Sequence, residues 1–366
     1  MKKILFIGNA NSFLIIQLAK KLIAYNPDLQ IDILSDQTIK SECSPFHHSY
    51  CVDDSNPKAN KKIIKAFYLA VQMKKLIQKV EGKYDVIHIL YVSASYRYFW
   101  NDLKKKSSKI ILTVFGGDFY KSKWYMNLLI AKMAKESSLI SATNPSTLKA
   151  FCIKFNVSSN NNRLVRFGLN ILDEIDAVSH SDILNWKQRN GILPSEIILA
   201  CGYNGSMNQN LLKIIESLKN VKSSLSSVVL TLQLYENTAH VDQVITSLKE
   251  SGLKFLLIRE RLSDRELAVY RSSVDIMIQV QTTDSFSGAM QEHLYAGSTV
   301  ITGSWLPYAV LDEKKITYIK VNEISEVGKE VCANLTNSLD KSMNKEIIAK
   351  LSKWSNTIAD WSALYL

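Results

Sequence analysis

Cysteine is scarce in this 366-residue chain, with five residues at positions 43, 51, 152, 201 and 332. Their odd number and lack of paired, ligand-like spacing indicate neither a disulfide framework nor a zinc site. Cys201 reads as a small hydrophobe in or beside a buried strand. Long apolar runs are missing too. None approaches the roughly 20 residues that span a bilayer, and the start, MKKILFIGNANSF, has no small-residue cleavage site behind its short apolar stretch, so a cytoplasmic location is expected. No helix-turn-helix, RNP or zinc pattern marks a nucleic-acid binder, and no short repeat or low-complexity segment suggests a solenoid. The first half is also short of acid. Residues 1–175 hold 26 Lys+Arg and 13 Asp+Glu, a net of +13; removing these from the 45 basic and 34 acidic residues of the whole leaves 19 and 21, a net of −2.

Otherwise the composition, 46% hydrophobic and 22% charged, is that of an ordinary soluble protein, and the length allows two domains with separate cores. KKILFIGNA reads as a buried strand and glycine turn, and SFLIIQLAKKLIAYNP as the next helix, stopped by Pro27. LQIDILSD is a second strand, KKIIKAFYLAVQMKKLIQKVEG a long amphipathic helix ending at Gly82, and YDVIHILYV, SKIILTVFGGD, SSLISATN and NRLVRFGLN continue the alternation. A second series starts at SEIILACGYNGSMNQN and runs through VVLTLQLYE, KFLLIRE and DIMIQVQTTDSFSGAMQEHLYAGSTVITGSWLPY. This pattern predicts an α/β fold with parallel sheets covered on both faces. The boundary is expected between Asn170 and Ser195, where polar and acidic residues interrupt the apolar strands. Near the end, Trp354, Ile358 and Trp361 fall at helical spacing and read as core packing.

Thr283 to Gly297, TDSFSGAMQEHLYAG, holds two carboxylates eight positions apart across a small-residue turn and a helix start. A diphosphate needs converging N–H groups, which Ser285, Phe286, Ser287, Gly288 and Ala289 can supply where the loop enters the helix. Glu292, about one turn inside, can accept two hydroxyls of a ribose diol. Asp284 would face whatever hangs from the far end of the diphosphate. A plainer reading makes Asp284 a helix cap and Glu292 a partner of the helix dipole.

Asp284 and Glu292, within a strand-turn-helix-strand unit, resemble the signature of the retaining glycosyltransferases of family 4, in which a Glu, seven residues and a second Glu recur. Ala296-Gly297, the following strand and Gly303-Ser304 look like that family as well. Asp at the first position removes one methylene of reach. The resemblance implies a GT-B architecture: two doubly wound Rossmann-like domains, 1–175 and 176–349, with a cleft between them and a C-terminal helix, 350–366, crossing back to the first.

The resemblance extends over most of the chain. Gly8-Asn9-Ala10-Asn11 matches the family's first glycine loop, which faces the acceptor and the donor phosphates, although an ordinary βα turn looks the same. His88 lies near the end of a strand where the family carries a His, and reads equally as a core imidazole. TVFGGDFY is similar to a strand-end motif that sets Gly116, Gly117 and Asp118 on the acceptor side. With Phe115 where many relatives have His, Asp118 is the carboxylate left to orient or deprotonate an acceptor hydroxyl; the alternative is a helix cap. CGYNGSMNQN resembles the donor-side glycine loop of surface-polysaccharide glycosyltransferases, which brings Gly202, Asn204, Gly205 and Ser206 to the donor. The Arg and Lys that commonly follow it are absent, leaving Arg259, Arg261 or Arg265 to neutralise the diphosphate, unless RERLSDREL is a solvated helix start.

Together these features imply transfer of a sugar, with retention, from a nucleotide-sugar to a growing surface glycan such as an O-antigen, capsule or exopolysaccharide, with Asp118 and Asp284 as catalytic carboxylates. No cofactor or metal is expected, since the fold generally works without one; Asp53-Asp54 reads as a solvated loop. Independently of the family, YRYFWNDLKKK (Tyr96 to Lys106) and YKSKWY (Tyr120 to Tyr125) interleave aromatics with lysines as interfacial contacts do. With the basic first half, they suggest an anionic membrane surface, a polyprenyl-linked acceptor and a peripheral place on the inner face of the cell membrane. A nucleotide-sugar epimerase of GT-B fold, or a non-catalytic binding or scaffold protein of that architecture, are the alternatives.

Overall fold

The structure, a computed structural model, describes residues 1–40, 44–52, 62–120, 122–284, 286–335 and 339–366. Cys43, Asp53, Asp54 and Ser285 lie outside them. The chain forms two compact units, Met1–Phe167 with Thr357–Leu366, and Gly168–Asn356.

The first unit holds a parallel sheet of β1 (Lys2–Ile7), β2 (Leu29–Ser35), β3 (Ser49–Cys51), β4 (Val86–Leu90), β5 (Ile110–Val114), β6 (Leu139–Ala142) and β7 (Asn162–Leu164), in the order β3-β2-β1-β4-β5-β6-β7. Its inner strands are near-continuous aliphatic runs, and β4 and β5 are buried at every residue. That is the pattern of strands covered on both faces. The first helix, Phe13–Tyr25, ends one residue before Asn26-Pro27, and the long one, Lys62–Lys79, closes before Gly82 at φ +73°. The second unit repeats the plan with β8 (Ile197–Cys201), β9 (Val228–Gln233), β10 (Phe255–Ile258), β11 (Ile276–Gln279), β12 (Thr299–Gly303) and β13 (Ile319–Val321), in the order β10-β9-β8-β11-β12-β13. Every pairing in both sheets is parallel.

Strand order reverses once in each sheet, between β1 and β4 and between β8 and β11. Loops leaving the carboxyl ends of those pairs diverge to opposite faces and open a crevice, where doubly wound sheets bind ligands. The units divide at Gly168 rather than at residue 176. Ile171, Leu172, Ile175 and Leu351 belong to a core of the second unit, and Leu169 N donates to Ser352 O at 2.7 Å. A Cβ at Gly168 would stand 2.3 Å from the Trp354 ring, so only glycine lets these segments meet. The helix Trp354–Ala363 starts in the second unit, and its residues from Thr357 belong to the first. There Trp361 is fully buried and donates Nε1–H to Arg166 O at 2.8 Å.

Candidate functional site

In the second unit, the loop after β8 turns at Gly202, where φ is +62° and a Cβ would meet Gln209 Oε1 at 2.6 Å. Both constraints demand glycine. Asn204 Oδ1 accepts from Ser206 N at 3.0 Å, and Gly205 N donates to Glu236 Oε2 at 3.3 Å. The loop is fastened to the one after β11 by Asn208, whose Nδ2 donates to Thr283 O (2.9 Å) and Gln281 Oε1 (3.2 Å) and whose Oδ1 accepts from Thr283 N (3.1 Å). Gln209 Nε2 adds a bond to Gln281 Oε1 at 2.8 Å, and Trp305 Nε1 donates to Gln281 O at 2.9 Å. Gln281 thus ties three strand-end loops together.

The helix Gly288–Ala296 starts at this junction. Ser287 caps it by accepting from Met290 N at 3.2 Å. Among the described residues the amides of Gly288 and Ala289 carry no hydrogen bond, which leaves two donors at the positive helix end. Half-buried Phe286 packs near Tyr308. Asp284, also half-buried, accepts the Tyr308 hydroxyl on Oδ2. Burial and that carboxylate push the Tyr308 phenol well above its ordinary range.

Glu292 stands one turn inside the helix, and its Oε2 receives Arg271 Nε at 2.9 Å, the two side chains being 13% and 4% exposed. Arg271 Nη1 lies 3.0 Å from both Gln233 Oε1 and His293 Nε2. Because arginine only donates, His293 Nε2 accepts, so its proton sits on Nδ1 and points to Ser298 Oγ, 3.1 Å away. Burial, then the Arg271 charge, lower the His293 pKa far below normal and keep it neutral. The network holds the Glu292 carboxylate in place, with no bond from the described residues to Oε1.

Of the three arginines expected to face a diphosphate, Arg259 donates to Asn237 Oδ1 (2.6 Å) and Arg265 pairs with Asp182 (2.9 Å). Arg261 is exposed beyond β10, near Tyr235, whose phenol burial pushes up against the smaller opposing pull of Arg271 and Arg261. Arg271 was not anticipated, yet it is buried deeper than Lys187, the other buried cation among the described residues of this unit. A signal existed: in DRELAVYRSS it falls three residues after Ala268 and four after Leu267, on the apolar side of a helix.

The first unit has its own pocket, about 440 Å³, at the carboxyl ends of β1, β4 and β5, lined by Gly8, Asn9, Ser12, Asp36, Tyr91 and Phe115 among others. At Gly8 a Cβ would meet Ile15 Cδ1 at 2.7 Å and Leu90 O at 2.9 Å. Asn11 does not line it; its side chain bonds Thr38 O and Lys40 N. His88 is not on the acceptor side. It is fully buried between Tyr365 OH (2.8 Å from Nδ1) and Thr113 Oγ1 (2.5 Å from Nε2), and burial lowers its pKa to about 3. A strand interior cannot present a ring to a strand-end loop.

Gly116, at φ +103°, and Gly117 turn the chain so that Asp118 folds back over the strand ends. Its Oδ2 accepts from Val92 N (2.8 Å) and its Oδ1 from Gly116 N (2.9 Å) and Phe115 N (3.1 Å). Burial raises the Asp118 pKa while these amides pull it down. The carboxylate joins the loops after β4 and β5, which is a positioning geometry. The aromatics of Tyr96 to Lys106 divide differently from expectation: Tyr96, Phe99 and Trp100 are core, and Lys104 pairs with Glu136 at 3.1 Å. A 3-10 turn, Ala94–Phe99, directs those rings inward.

Residues 3–158 match the family model described as glycosyl transferase 4-like. No curated protein matches the chain. Over its full length it is similar to a glycosyltransferase from Rickettsia africae (TM-score 0.79, 11% identity, covering 100% of this chain and 97% of that one). Sucrose-phosphate synthase from Thermosynechococcus elongatus gives 0.75, at 15% identity and coverage of 100% and 98%. HepE from Anabaena, in complex with UDP and glucose, gives 0.74 at 13% identity, with 99% of each chain covered. Residues 3–158 are thus similar to glycosyl transferase 4-like proteins, and the whole chain shares the GT-B architecture of these solved structures.

Proposed function

We propose that the second unit binds a nucleotide-sugar and that the chain transfers its sugar, with retention, to a growing, lipid-linked surface glycan. The observation that carries the donor reading is the helix start at Gly288. Two unbonded amides there meet a diphosphate, and Glu292, held by Arg271, accepts the ribose hydroxyls. Asp284 and Tyr308 face the donor sugar, and exposed Arg261 supplies the mobile cation that stabilises the departing diphosphate. The acceptor enters the pocket at Gly8 and Phe115, whose walls Asp118 fixes. HepE, bound to UDP and glucose, makes UDP-glucose the first donor to try. A thermal-shift series of UDP- and GDP-sugars should contain one that raises the melting temperature of the wild type by mass action and has little effect on Glu292→Gln. No stabilisation by any of them would overturn the donor assignment.

The lipid-linked acceptor rests on an outward row of side chains in the first unit. On the helix Trp124–Glu136, Trp124 (79% exposed), Tyr125, Leu128 (72%) and Leu129 are solvent-facing and are followed by exposed Lys132 and Lys135. Apolar rings and leucines beside lysines match the boundary of an anionic bilayer. On this reading the chain sits peripherally on the inner membrane face. Anionic liposomes should bind the protein, less so as salt rises; equal binding to neutral liposomes would count against it.

A further inference from the structure

Apart from both strand-end sites, two exposed histidines and a buried aspartate converge at an edge of the first sheet. His47 and His48 lead into β3, and its pairing with β2 (His47 N to Ile31 O, 2.8 Å; Ile33 N to His48 O, 2.9 Å) brings them beside Asp32. Their Nδ1 atoms are 2.8 Å apart. Asp32 Oδ1 lies 3.7 Å from that of His47 and 3.4 Å from that of His48. Ligands placed tetrahedrally about 2.0–2.1 Å from an ion stand about 3.3 Å from one another, and these three separations bracket that value.

Gln30 Nε2 stands 2.9 Å from His47 Nδ1, so an ion taken up by that nitrogen displaces the Gln30 amide from its lone pair. Asp32, meanwhile, is set as a ligating carboxylate usually is. It is 4% exposed, its Oδ2 accepts the Tyr84 hydroxyl at 2.7 Å, and its Oδ1 accepts His48 N at 3.0 Å. Such outer hydrogen bonds orient a metal-binding oxygen.

We propose that Asp32, His47 and His48 bind a divalent ion of the zinc class and so fasten the edge strand β3 to β2. Two imidazole nitrogens and one carboxylate oxygen form a borderline donor set, unlike the all-oxygen shells that calcium and magnesium require. A water completes the tetrahedron on the exposed side. Asp32 is three residues, roughly 10 Å, short of the strand end at Ser35, so the ion takes no part in sugar transfer. The sequence indicated no such site because adjacent histidines have no recognisable ligand spacing; only strand pairing brings Asp32 to them.

The test is equilibrium dialysis of the full chain against zinc chloride, with bound metal and melting temperature measured. The wild type should take up one equivalent and melt higher. In His47→Ala/His48→Ala, whose parent side chains are each 56% exposed, the fold should persist while zinc affinity falls at least about tenfold, each ligand being worth that much or more. His180 and His240 remain in both proteins, so adventitious binding there cancels. Cobalt offers a second probe: the wild type alone should give the intense visible absorption of a tetrahedral centre. Magnesium should stabilise neither protein. Zinc bound equally by wild type and double variant, or by neither, overturns the proposal, and no result depends on whether the chain transfers sugars.

Discussion

The two units share a plan and differ in where they keep charge. Taken with its C-terminal segment, the first holds 26 basic and 12 acidic residues, a net of +14, and its strand ends open into a pocket with aromatic walls. The second, with the remaining 19 and 22, has a net of −3, yet it buries a cation, Arg271, against Glu292. Excess charge in the first unit is not gathered against one buried partner, and a diffuse excess of that kind makes itself felt through the long-range field. The Arg271–Glu292 charge in the second is local and desolvated, with Glu292 Oε1 left without a bond from the described residues, which suits one small ligand held in one orientation. Similar doubly wound sheets therefore carry different chemistry because their strand-end loops differ.

The sharpest way to break this contrast is at Arg271. Arg271→Ala leaves the Glu292 carboxylate without its partner and two further acceptors unmet, and should cost about 3–5 kcal/mol in denaturant unfolding. A loss below about 1 kcal/mol would mean that the network is not a structural unit. Asp118→Ala is the counterpart in the first unit. It strips three backbone amides of their acceptor and should cost about 1–3 kcal/mol, without altering affinity for whichever nucleotide-sugar stabilises the wild type. A large drop in donor affinity would refute its placing as a local fastener.

His88 sharpens the comparison through pH. Burial holds its folded-state pKa at about 3, against 6.5 ordinarily, so the unfolded chain takes up the proton first on acidification. Its contribution is full above about pH 6.5 and is lost progressively as pH falls towards 3. Unfolding midpoints of the wild type should decline over that window more steeply than those of His88→Gln, which has no proton to gain. Parallel slopes would contradict the neutral, buried imidazole. The smallest expected effect on stability belongs to Trp124→Ser/Leu128→Ser: within about 0.5 kcal/mol, as for exposed positions generally, while attachment to anionic liposomes falls severalfold. Attachment unchanged by both replacements would remove this helix as the membrane contact.

Much of the fold could be read from the chain because its central strands are apolar on both faces and sit between amphipathic helices; YDVIHILYV and SEIILACGY contain β4 and β8. The edge strands β3 and β13 could not be, since three residues are too few to show a period. Within the sites, the glycine turns were legible: Gly8 and Gly116 each stand where a side chain would clash or be strained. Side-chain partners were not. His88 looked like a strand-end residue by position, but the ring points between two strands and Tyr365, 277 residues away.

What the sequence determined by itself is local: the period of the strands, the places where only glycine can turn, the basic excess of one half, and the pairing of Asp284 with Glu292 in one strand-turn-helix unit. Tertiary structure alone decided which charges are answered. Arg271 meets Glu292 across 21 positions, Asp118 gathers amides from two loops, and Asp32 meets His48 across 16. Periodicity and turn preference act over a few neighbouring residues, whereas a buried charge is satisfied by whatever the packed sheet brings within about 3 Å.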